Sequence, residues 1–133
     1  MNKYVFLRIN DKFKMIFKGN YDAFLELYYR REESVFYKEQ FKFFLVKNNV
    51  KEIMSYLIKT IGIRDELKVC KNKITLANRY LENKESVEIH DNYLLLTSSL
   101  EESVIRRYLL DYSSEFIIID LNNSKIGRFA LVN

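Results

Sequence analysis

The spacing of apolar residues changes at Gly62, and that change restricts the chain to folds in which helices and strands pack on one another. Upstream, Val50, Ile53, Met54, Leu57, Ile58 and Ile61 recur at the period of a helix with one buried stripe. Asn49 and Glu52 form a capping-box pattern at its start, and Gly62 supplies a stop at its end. Downstream the period is two. Lys73–Tyr80, Ser86–Ile89 and Tyr93–Thr97 predict strands, the last two joined through His90, Asp91 and Asn92, which tolerate positive φ in a tight hairpin. Ser99 with Glu102 is a second capping-box pattern. It predicts a helix with Val104, Ile105, Tyr108 and Leu109 inward and the pair Glu102 and Arg106 outward. Glu115–Leu121 then reads as a nearly continuous apolar strand, Asn122–Ser124 as a turn and Lys125–Val132 as a final strand.

The first half opens with a strand in which Tyr4, Phe6 and Arg8 alternate with Val5, Leu7 and Ile9, ended by Asn10 and Asp11. Phe13, Ile16 and Phe17 then recur at helical spacing, with Asn10 or Asp11 able to cap and Gly19 placed as a C′ residue. A second helix is predicted from Asn20 or Asp22 to about Arg31, with Phe24, Leu25, Leu27 and Tyr28 as its stripe and Glu26 four before Arg30. Ser34–Lys47 fits two patterns. Phe36, Phe41, Phe43, Phe44, Leu45 and Val46 surround a helix, the preferred reading, while Phe41, Phe43 and Leu45 also alternate as in a strand. No Pro-rich or Gly/Ser-rich linker and no repeat interrupts residues 1–133, so the expectation is a single α+β domain, a mostly antiparallel sheet with helices packed against it.

Composition narrows the function classes. With 48% apolar and 15% aromatic residues, 3 Gly and no Pro, a disordered or low-complexity chain is excluded. Met1–Phe17 mixes Lys3, Arg8, Asp11, Lys12 and Lys14 into its apolar residues, unlike a signal peptide. The longest apolar runs fall far short of the ~20 residues of a spanning helix. Cys70 has no partner for an intramolecular disulfide, so a cytoplasmic protein is expected, with no membrane contact. The net charge of +4 is concentrated in the first half, which holds 12 of the 22 basic but 7 of the 18 acidic residues. Such an asymmetry suits either nucleic acid or an acidic protein surface.

No catalytic signature is present. One His and one Cys exclude a zinc site built from those residue types, and HExxH, CxxC, GxGxxG, GxxxxGK[ST] and GxSxG are all absent. The expectation is therefore no enzyme, no metal and no cofactor. A Cys70 and His90 nucleophile pair lacks any supporting motif, and Glu32 with Glu33 and Glu101 with Glu102 read as solvated helix charges. Arg30, Arg31, Lys38 and Lys42, beside Tyr28, Tyr29 and Tyr37, form a stripe able to contact phosphates and stack bases. Glu32, Glu33 and Glu39 interrupt it, which argues against direct nucleic-acid binding.

Phe13 and Phe17 stand four apart and project from one side of the short helix, flanked by Lys12 and Lys14. Aromatic stripes are ordinarily core. A helix this short, however, can bury only part of two large rings, and large rings on a small rigid element dominate protein-docking energetics when they fill a partner's pocket.

Three stretches resemble the sporulation inhibitor of replication (SirA) family of spore-forming bacteria. "YVFLRINDKFKMIFKGNYDAFLELY" is similar to the family's strand, short aromatic helix, glycine and following helix. "SVEIHDNYLLLTSSLEESVIRRYLL" resembles its hairpin and amphipathic helix, and "FIIIDLNNSKIGRFAL" its closing strand, turn and Tyr-Gly-Trp-Leu-like ending. The family's terminal Trp is replaced by Phe129 if Gly127 is aligned with an offset, or by Arg128 without one. The resemblance implies a cytoplasmic inhibitor that binds the N-terminal domain of the replication initiator DnaA and blocks replication by occlusion. It places the docking helix on Phe13 and Phe17, where Phe17 stands in for a typical tyrosine, and matches Lys47 to a polar rim position. Together with Lys14 beside the two rings, these are the candidate partner-binding residues. A relative serving another initiator, a phage-type regulator or a basic nucleic-acid-binding domain are the alternatives.

Overall fold

A computed structural model describes residues 1–17, 20–62, 66–78 and 83–128. The chain order is β1 (Asn2–Leu7), a 3-10 turn (Asp11–Phe13), α1 (Asp22–Arg30), α2 (Val35–Phe43), α3 (Val50–Ile61), β2 (Glu66–Cys70), β3 (Lys73–Asn78), β4 (Asn83–Ile89), β5 (Leu94–Ser98), α4 (Val104–Tyr112), β6 (Ile117–Asp120) and β7 (Lys125–Arg128). The seven strands form one sheet in the order β2-β3-β4-β5-β1-β6-β7, and every pairing is antiparallel. The α+β expectation is met.

An interior strand of the sheet is β1, paired through Val5 with Leu95 of β5 and Ile119 of β6. Its successive side chains enter two different cores, because neighbouring residues of a strand point to opposite faces. Phe6 joins Ile118 and Phe116 on the face covered by α3 and α4, where Ile53, Leu57, Ile61, Ile105 and Leu109 are buried. Val5 and Leu7 join Ile117 and Ile119 on the other face, beneath Phe24 and Tyr28 of α1 and Phe41 of α2. Burial on both faces explains why Phe116–Ile119 is an uninterrupted apolar run. On β3 and β4 the face opposite α3 and α4 carries Thr75, Ala77, Ser86 and Glu88, all short or polar, matching strands buried on one side.

Local chemistry explains most element boundaries. Asn49 caps α3 by accepting the Glu52 N–H at 3.1 Å, and Gly62 closes it by donating to the Ile58 carbonyl. A Cβ at Gly62 would collide with that same carbonyl oxygen, a close approach that glycine alone permits without adjustment. The Glu52 side chain does not complete the capping box. It accepts the Tyr112 hydroxyl at 2.6 Å, tying α3 to the end of α4.

Several expectations are corrected. The segment after Asn10 is no regular helix: Phe13 donates to Asn10 at 2.8 Å and Ile16 to Phe13 at 3.1 Å, both three-residue bonds of a tight turn. Gly19 and Tyr80 lie outside the described residues, as do residues 129–132 of the last predicted strand. Ser34–Lys47 follows the preferred helical reading as far as Phe43, and the alternation of Phe41, Phe43 and Leu45 does not form a strand, because Phe41 and Phe43 lie within α2. Ser34 caps α2 through the Tyr37 N–H, and after Phe43 the chain extends, with Leu45 bridging to Ile9 and Val46 donating to Arg8 at 2.8 Å. β2 was not predicted. The cap of α4 is Ser103 rather than Ser99, whose hydroxyl accepts the Lys84 N–H instead. Positive φ among non-glycine residues falls at Lys71 and Ser124, not in the His90–Asn92 hairpin.

Candidate protein-docking surface

Phe13 and Phe17 are both half-buried, and their rings turn onto the aromatic layer of α1 and α2. Phe13 packs 5.1 Å from Phe43 and 5.1 Å from Phe44, and Phe17 lies 4.5 Å from Phe24 and 5.1 Å from Phe44. Edge-to-face and tilted geometries at these separations are attractive. The pair therefore acts mainly as the outer wall of the second core, rather than as two rings presented to solvent. The four-residue spacing was read as one helical face; in a 3-10 turn followed by an irregular one, it instead directs both rings toward the same neighbour, Phe44.

Lys14 is also engaged. Its Nζ lies 2.6 Å from Asp11 Oδ1 and 2.7 Å from Glu115 Oε1, so the turn is fastened to the approach of β6. The hydrogen bond to Asp11, and next that to Glu115, raise its pKa above the ordinary lysine value. Lys47 is exposed, and among the described residues no ion pair or hydrogen bond holds its ammonium. Its neighbour Asn48 does the structural work at that point. Asn48 is 6% exposed; its Nδ2 donates to the His90 carbonyl at 2.9 Å and its Oδ1 accepts from Arg8 Nη2 at 3.1 Å.

The exposed aromatic surface is on α2. Phe36 and Phe43 are each 64% exposed, and seven residues apart they lie nearly in line along one flank, roughly 10 Å from each other by helix rise. Phe13 continues this line through its contact with Phe43, and the turn following it carries Ile16, 71% exposed. Val35, at the start of α2, is 77% exposed. Solvated rings of this size are expensive to leave uncovered: burying one contributes roughly 1.5–3 kcal/mol. Periodicity alone does not single out Phe36 and Phe43, because apolar residues surround this helix and nothing local says which flank lacks a neighbour.

The other candidate chemistry is dispersed. Arg30 pairs with Glu26 at 3.4 Å and Glu33 at 3.2 Å and lies over the Tyr37 ring, while Arg31 donates to the Tyr28 carbonyl at 2.7 Å. The two arginines therefore do not form one stripe. Cys70 is exposed at the end of β2; His90 stacks on Tyr93 with its Nε2 3.4 Å from Glu88, and no hydrogen bond joins it to Cys70. Among the described residues no three His, Cys, Asp or Glu side chains gather as metal ligands, and no helix is long and apolar enough to cross a membrane. Comparison with protein-family models and with curated protein sequences returns no significant match.

Proposed function

We propose that this chain is a non-catalytic cytoplasmic module that inhibits a partner protein by docking on it through the Phe36–Phe43 flank of α2, with Phe13 as a supporting ring. The carrying observation is that two phenylalanines on one rigid helix flank are each 64% exposed. Exposed large rings in a contiguous set mark interaction surfaces, and aromatic anchors supply much of the energy when a partner pocket desolvates them. Phe13 and Phe17 contribute by holding Phe43 and Phe44 in place from behind.

The partner follows from the sequence resemblance: the N-terminal domain of the replication initiator DnaA, blocked by occlusion, in a cell committed to sporulation. The exposed Lys47 supplies a basic rim position for an acidic partner surface, though Glu39 on α2 tempers it. Titration calorimetry of the purified protein against that domain tests the reading. A complex with the native protein, weakened at least about thirtyfold by the double variant Phe36→Ala, Phe43→Ala, is the expected result, corresponding to ~2 kcal/mol. No heat with the native protein removes the initiator as partner. Undiminished binding by the double variant removes the surface.

A further inference from the structure

The opposite flank of α2 borders a second feature. Lys38 is two residues beyond Phe36, roughly 200° further round the helix, so it faces away from the aromatic flank. Lys38 and Lys42, one turn apart, line a cleft of about 230 Å³ between α2 and the β4–β5 hairpin. Arg31 enters it from the end of α1, and His90 and Tyr93 from the hairpin.

The cations in this cleft differ in how they are held. The Arg31 guanidinium is fixed, lying 4.0 Å from the Tyr28 ring centre and 5.4 Å from that of Tyr93, with Nη1 bonded to the Tyr28 carbonyl. Lys38 and Lys42 are exposed, and among the described residues neither has an ion-pair or hydrogen-bond partner. Two carboxylates also line the cleft, Glu32 and Asp91, and both are exposed; Glu32 lies 3.7 Å from Arg31 Nε, at the long end of ion-pair range. A planar guanidinium held in position, with two exposed lysines lining the same cleft, is a donor set suited to tetrahedral oxyanions. Tyr93, stacked against His90 at 4.5 Å, gives the cleft a flat aromatic wall.

We propose that this cleft binds a phosphoryl group, with Arg31 as the fixed donor and Lys38 and Lys42 closing on the remaining oxygens. The group belongs either to a small phosphorylated compound or to the backbone of a single nucleic-acid strand. The site is separate from the docking flank, so its failure leaves the docking reading standing, and the reverse holds.

Amide-resolved NMR titration of the full chain tests it, with inorganic phosphate and an oligothymidylate as probes and sodium chloride at matched ionic strength as reference. The expected result is saturable shifts at Arg31, Lys38, Lys42 and Tyr93 with at least one probe, beyond those in chloride. The variant Lys38→Gln, Lys42→Gln should bind at least about tenfold more weakly. The variant Lys51→Gln, Lys59→Gln, on α3 across the sheet, should bind as the native protein does. Tighter binding of the oligothymidylate, falling steeply with salt, identifies a strand as the source; equal or tighter binding of inorganic phosphate identifies a small compound. No saturable shift with either probe, or unchanged binding by the Lys38, Lys42 variant, overturns the proposal.

Discussion

Glu85 Oε2, on β4, accepts the backbone N–H of Val104 at 3.0 Å, so a buried carboxylate from the sheet caps the first turn of α4. Its other oxygen accepts from the hydroxyls of Ser98 and Ser103, and the residue is only 2% exposed. A negative charge at a helix N-terminus is favourable, and here three donors satisfy it. Removing it leaves those donors buried without their acceptor. Glu85→Ala should destabilise the protein by about 3 kcal/mol. Glu85→Gln should cost less, because one acceptor oxygen remains. Urea denaturation checks both, as a lower midpoint at unchanged slope.

The aromatic surface and the aromatic core should separate under mutation. Phe36→Ala removes a solvated ring and should change stability by no more than about 0.5 kcal/mol. Phe13→Ala takes a half-buried ring from between Phe43 and Phe44 and should cost about 1–3 kcal/mol. Thermal unfolding of the two variants, set beside their partner affinities, distinguishes an anchor from a support.

Asn48 bonds Arg8, which follows β1, to His90 in the β4–β5 hairpin. Asn48→Ala leaves the guanidinium and a carbonyl short of a partner, and should cost about 1–3 kcal/mol. Hydrogen exchange should then show earlier opening at His90 and its neighbours than at the buried amides of β1.

Tyr28 and Tyr112 should ionise late in an alkaline titration. Burial is the main cause that raises Tyr28, opposed by the nearby Arg31 charge; burial and then the hydrogen bond to Glu52 raise Tyr112. In both, the folded phenol holds its proton more tightly than the unfolded one. The stability they confer is therefore complete below the ordinary tyrosine value of about 10 and declines as pH rises through the folded values. Tyrosinate absorbance should show a late component, reduced in Tyr28→Phe and Tyr112→Phe.

How much of this was legible beforehand depended on whether a signal was local. The cap at Asn49, the stop at Gly62 and the stripe of α3 are sequence-local and were found. The bond from Glu85 to the first turn of α4 is not, because Glu85 and Val104 are nineteen residues apart in the chain and Ser99 is a nearer candidate cap. β2 is hard to read from sequence because its alternation rests on Leu67 and Val69 alone, and of these only Leu67 packs on the core while Val69 is exposed. The sequence pattern points to Phe13 and Phe17 as the aromatic docking pair. Their spacing was informative, but whether a ring faces outward depends on Phe44, which neither helical nor strand period reveals.

The position of β1 shapes how the protein is made. Asn2–Leu7 is synthesised well before β5 and β6, the two strands between which it lies. Val5, Phe6 and Leu7 must wait, unpaired on both edges, while the intervening helices and hairpins emerge. A nascent chain halted before Asp120 would carry an apolar ribbon open along one side, a target for chaperones or for a second stalled copy.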